Sequence, residues 1–64
     1  MFRDYLEVFI KKYNIKIDTV HNRYISIKDK DGNSIRIWYD GRVFYKDKKI
    51  KFNEKKIKKW LNLK

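Results

Sequence analysis

The stretch Tyr24–Trp38, YISIKDKDGNSIRIW, is two runs of alternating side chains around a single glycine. Ile25 and Ile27 alternate with Tyr24, Ser26 and Lys28, and Ile35 and Ile37 alternate with Arg36 and Trp38. A period of two with β-branched residues marks half-buried strands. A three-residue loop of Lys30, Asp31 and Gly32 puts the glycine where a left-handed backbone is favoured. That loop sets Ile27 against Ile35 and Ile25 against Ile37 on one face. It also sets Tyr24 against Trp38 and Ser26 against Arg36 on the other. Both sets agree, which predicts an antiparallel hairpin.

Downstream, Asp40-Gly41 predicts a two-residue primed turn into a fourth strand over residues 42–46. This turn pairs Ile37 with Phe44, Trp38 with Val43 and Arg36 with Tyr45. A short fifth strand follows over residues 49–52, with either Val43 or Phe44 opposite Phe52. Upstream, Ile15, Ile17 and Thr19 alternate with polar neighbours. A three-residue loop ending at Arg23 opposes Ile17 to Ile27 and Thr19 to Ile25.

The two ends change period. Phe2, Tyr5, Leu6, Phe9, Ile10 and Tyr13 recur at helical spacing, predicting a helix over residues 2–13 that ends at a left-handed Asn14. Val8 falls off that stripe. Asn53 caps a second helix over residues 54–62, with Ile57, Trp60 and Leu61 on its apolar face. Both stripes need a surface to cover, and the isoleucine face of the sheet supplies it. The expectation is one small α+β domain over residues 1–64: a two-layer α/β sandwich with an N-terminal helix, an antiparallel β-meander of 4–5 strands and a C-terminal helix.

Composition narrows the function classes. The absence of cysteine excludes disulfides, thiolate metal sites and a cysteine nucleophile. No apolar run approaches the roughly 20 residues of a membrane-spanning helix, so a cytoplasmic or otherwise intracellular protein is expected. The net charge of +10 is concentrated: residues 1–40 carry 8 basic and 6 acidic side chains, and residues 41–64 carry 10 and 2. Lysines at 46, 48, 49, 51, 55, 56, 58 and 59 make this tail section a localised positive field that attracts polyanions.

If the helices cover Ile17, Ile25, Ile27, Ile35, Ile37 and Phe44, the other face presents Tyr24, Trp38, Val43 and Tyr45, fringed by Lys16, Lys28 and Arg36. Rings among cations suit nucleic acid, because bases stack on aromatics while lysine and arginine neutralise phosphate. The expected nucleic-acid contacts are Tyr24, Arg36, Trp38 and Tyr45, with Lys46, Lys48, Lys49, Lys51, Lys55 and Lys59 supplying the field. The polymer, DNA or RNA, stays open. The competing reading uses the same rings as a homodimer or protein-partner interface.

No cofactor motif is expected, since Gly32 and Gly41 are both explained by turns. One histidine and no cysteine leave zinc without its usual ligands. Asp29 and Asp31 lie close together in a loop shorter than an EF-hand. His21 is the sole candidate acid–base residue, with Asp18 as its orienting partner. In the order helix, three strands, helix, with histidine just before the second strand, the chain resembles the small RNA-cleaving toxins of bacterial toxin–antitoxin pairs, over about residues 2–40. The resemblance implies a double-stranded-RNA-binding-like fold and a ribonuclease centred on His21. Thr19-Val20 stands where that family has glycine-serine, and further strands follow.

Overall fold

The computed structural model describes residues 1–63. Helix α1 (Phe2–Lys12) is followed by strands β1 (Ile17–Val20), β2 (Tyr24–Lys28), β3 (Ser34–Trp38), β4 (Arg42–Tyr45) and β5 (Lys48–Lys51), then helix α2 (Glu54–Trp60). The strands form one antiparallel sheet in sequence order. The expected α+β architecture is therefore the observed one, with five strands in the meander.

Leu6 and Phe9 from α1 and Ile57 from α2 pack with Ile25, Ile27, Ile35, Ile37 and Val43 into one buried cluster. Both helices thus lie on the isoleucine face. Lys11 and Lys12 occupy the last turn of α1, where positive charge suits the helix's negative end. Asn14 ends that segment with φ of +52°, while Val8 stays 63% exposed. Asn53 Oδ1 accepts from the Lys56 backbone N–H at 3.0 Å, capping α2. This helix stops at Trp60, two residues before the expected end, and Asn62 turns left-handed at φ +58°. Glu54 accepts from the Tyr5 hydroxyl at 2.6 Å and the Tyr13 hydroxyl at 3.4 Å, which ties the start of α2 to α1.

The β2–β3 register matches every expected pair, from Tyr24–Trp38 to Ile27–Ile35. The β3–β4 register differs by one residue. Tyr39, Asp40 and Gly41 form a three-residue loop in which Gly41 takes φ of +99° and its N–H donates to the Trp38 carbonyl at 3.0 Å. Asp40 accepts from the Arg42 backbone N–H at 3.0 Å and fixes the turn. The preceding loop has the same plan: Gly32 sits at φ +86° and donates to the Asp29 carbonyl at 3.1 Å. One added loop residue moves every β4 side chain to the opposite face. Ile37 therefore pairs with Val43, Arg36 with Phe44 and Ile35 with Tyr45. Val43 is in the core, and Phe44 is on the uncovered face, reversing the expected assignment.

The last turn is the two-residue Lys46-Asp47, with φ of +46° and +63°, as a primed hairpin turn demands. It pairs Val43 with Ile50 and Phe44 with Lys49. Neither Val43 nor Phe44 opposes Phe52, whose N–H instead donates to the Gly41 carbonyl at 2.8 Å. The Phe52 ring packs edge-on against Phe2, Tyr5 and Phe9. On the other border, Ile17 opposes Ile27 as expected, but a bulge between Ile17 and Thr19 pairs Thr19 with Ser26 and Val20 with Ile25. The extra residue breaks the expected Thr19–Ile25 pair and puts Val20 opposite Ile25 in its place.

Tyr45 now points to the helix side, and its hydroxyl donates to Asp29. Asp29 is only 7% exposed and also accepts from the backbone N–H groups of Asp31 and Asn33 at 2.9 and 2.7 Å and from Asn33 Nδ2 at 3.0 Å. Burial pushes the Asp29 carboxyl up, but these hydrogen bonds outweigh it and hold it well below the usual carboxylate range. The same bond, with burial, pushes the Tyr45 hydroxyl up to about 12. A tyrosine that holds its proton more tightly when folded stabilises fully below about pH 10, and that contribution is lost as pH rises toward 12. The Asp29 contribution has the opposite sense: it is present above about pH 4 and lost on acidification. Thermal melts followed by circular dichroism should show Tyr45→Phe melting below wild type at pH 7. That gap should close as pH rises from 10 to 12. A constant gap across that interval would count against the Tyr45–Asp29 bond.

Candidate nucleic-acid interface

Strand alternation leaves one sheet face without a helix. Tyr24, Ser26 and Lys28 come to it from β2, Arg36 and Trp38 from β3, Arg42 and Phe44 from β4, and Lys49 and Lys51 from β5. The rings form a row across neighbouring strands. His21 stacks on Tyr24 at 4.3 Å, Tyr24 leans on Trp38 at 4.8 Å, and Trp38 meets Phe44 edge-on at 6.1 Å. Ser26, small and only 7% exposed, lies in β2 two residues along from Tyr24 and opposite Arg36. Its size leaves room for larger neighbours on the same face.

Two guanidinium groups sit over this row. Arg42 is 4.6 Å from the Trp38 ring centre and 6.0 Å from that of Phe44, while Arg36 is 5.9 Å from Tyr24. Asp40 holds Arg42 in place through its Nε at 2.8 Å. Hydrogen bonds from the Arg42 backbone and side chain keep the Asp40 carboxyl below its ordinary value, against a smaller opposing effect of burial. At the other margin, Asp18 lies 3.9 Å from Lys28 Nζ and accepts from Thr19 at 3.2 Å. Trp38 Nε1 is enclosed without an acceptor among the described residues. Its indole is held by ring contacts and the overlying Arg42.

Of the expected contacts, Tyr24, Arg36 and Trp38 are brought together. Tyr45 is not: the longer Asp40-Gly41 loop turns it toward the helices, where it stacks on Trp60 at 4.1 Å. Phe44 takes the place assigned to Tyr45, and Arg42 joins it; sequence reasoning missed both. The reason for Phe44 becomes visible only once the register is known. Val43 is flanked by Ile37 and Ile50 in the observed register, a β-branched trio that fits a core row better than phenylalanine does.

The lysines divide between two sides. Lys49 and Lys51 fringe the open face, opposite Phe44 and Arg42. Lys48 is on the helix side opposite Tyr45, and Lys46 Nζ lies 5.3 Å from the Tyr45 ring at the turn. Lys55 and Lys59 are exposed on α2. Lys16 precedes β1 and lines a depression with Tyr13, Asn14, Asp18, Lys28 and Leu61. Asp18, cast as the orienting partner of His21, instead faces Thr19 and Lys28, and His21 is an exposed ring stacked on Tyr24.

Among the described residues, no three His, Cys, Asp or Glu side chains are grouped so as to hold a metal, and no helix is long and apolar enough to cross a membrane. Compared with known proteins, the chain matches no family model, no curated protein and no solved structure.

Proposed function

We propose that the open sheet face binds single-stranded nucleic acid. The observation that carries this reading is the cross-strand row of Tyr24, Trp38 and Phe44, fringed by Lys28, Arg36, Arg42, Lys49 and Lys51 on a face no helix covers. Unpaired bases expose flat apolar faces that half-buried rings can cover, and the phosphates between them meet the cations. A duplex hides its bases, so it would meet the charge and leave the rings unused. The rings already lean on one another, so little side-chain freedom remains to be lost when a base arrives. The two nearby carboxylates, Asp18 and Asp40, are each paired with a cation and leave the face positive.

The test is titration of a fluorescent single-stranded oligonucleotide with variants of this row. Removing one stacking ring costs about 1–3 kcal/mol, so Trp38→Ala and Phe44→Ala should each weaken binding by about 5- to 150-fold. Val8→Ala, at an exposed position on α1, should leave affinity unchanged. If Trp38→Ala binds like wild type, the stacking role is lost. If it instead converts a concentration-dependent dimer into a monomer, the rings belong to a protein interface.

A further inference from the structure

On the helix side of β5, a cleft of about 320 Å³ opens between the strand and α2, lined by Tyr45, Lys48, Ile50, Lys56, Lys59 and Trp60. Its apolar part is the stacked Tyr45–Trp60 pair, with ring centres 4.1 Å apart and planes inclined by 28°, together with Ile50. Tyr45 cannot swing away, because its hydroxyl is tied to buried Asp29. The rest of the lining is three lysines and no carboxylate. None of the three is in an ion pair among the described residues. Three like charges gathered around an aromatic wall repel one another until an anion arrives, and lysine serves phosphate well as a mobile point charge.

We propose that this cleft is a second binding site, taking a nucleoside phosphate with its base against Trp60 and its phosphate among Lys48, Lys56 and Lys59. The source of that nucleotide rests on the open-face reading: it belongs to the same strand, carried over the β5 edge. Side chains of β5 alternate, so Lys49 and Lys51 face the ring row while Lys48 faces the cleft, and Lys46 sits at the adjoining turn. The edge is therefore positive on both sides, and the path from one aromatic site to the other is lined with ammonium groups.

The chain has two tryptophans, one in each site, so emission reports the sites separately. Trp38→Phe leaves Trp60 as the sole reporter of the cleft, and Trp60→Phe leaves Trp38 as that of the open face. Each is titrated with oligothymidylate of about 12 nucleotides, with one of about four, and with adenosine monophosphate. The longer strand should quench both reporters, whereas the short one should quench Trp38 and leave Trp60 largely unaffected. Adding Lys48→Ala and Lys59→Ala to the Trp38→Phe protein should weaken the Trp60 response at least tenfold, with circular dichroism unchanged. Lysine-dependent quenching of Trp60 by the mononucleotide alone would support the site and name free nucleotide as its source. A Trp60 response absent with all three probes overturns the cleft assignment while a quenched Trp38 upholds the open face. A silent Trp38 beside a quenched Trp60 sinks the open-face reading and keeps the cleft.

Discussion

Raising salt from about 50 to about 200 mM should weaken binding of a single-stranded oligonucleotide by about 20-fold. Arg36, Lys49 and Lys51 reach the open face from β3 and β5, and each that neutralises a phosphate releases a condensed counterion. Three such contacts give a slope of log affinity against log salt near about −2 for a single strand. Lys28 and Arg42 are left out of this count because Asp18 and Ser34 already engage the one and Asp40 the other. Fluorescence anisotropy across a salt series measures the slope directly. Replacing Lys49 and Lys51 together by alanine should make it shallower by roughly one to one and a half. An affinity flat in salt would remove phosphate contact as the source of binding.

The second large effect is on the fold. Ile37 is fully buried between Ile25 and Val43 on neighbouring strands. Cutting an isoleucine to alanine in such a place costs about 2–5 kcal/mol, from lost burial and the cavity left behind. A chain of 64 residues has a total stability of about 3–10 kcal/mol. Ile37→Ala should therefore lose a large part of its folded population at ambient temperature. Val20→Ala, at a site 67% exposed, should melt within a few degrees of wild type. Urea unfolding of the two variants side by side makes the comparison. Equal midpoints would place Ile37 outside the core.

The fold was largely legible in the sequence because its central hairpin is over-determined. At β2–β3 a single glycine and two independent sets of cross-strand pairs point to one register, and the structure has that register. At β4 the same kind of information runs out. Val43, Phe44 and Tyr45 are all apolar enough for either face, so a slip of one residue is invisible to the hydrophobic pattern. Asp-Gly is compatible with two-residue and three-residue loops alike. What selects the longer loop is local: Asp40 bonds the Arg42 backbone, and Gly41 takes the left-handed position. At the last turn Lys46 and Asp47 adopt positive φ without a glycine to announce it.

The candidate site inherits this unevenness. Tyr24, Arg36 and Trp38 belong to the well-determined hairpin and lie where they were expected. Tyr45 and Phe44 belong to the slipped strand and exchange faces. The bond between Tyr45 and Asp29 joins residues 16 apart, and it exists only in the true register. No local pattern encodes it. The split of the lysines between two sides of β5 depends on the same register.

The two outer strands leave peptide groups unpaired, and such borders invite other chains to add themselves as further strands. Along β1 the irregular step near Asp18 interrupts the even spacing that an incoming strand needs, despite the bare Val20 beside it. Along β5 three of four residues are lysine, so a second copy approaching that border would bring ammonium against ammonium. The charge proposed to draw in a polyanion thus also discourages fibrillar self-association.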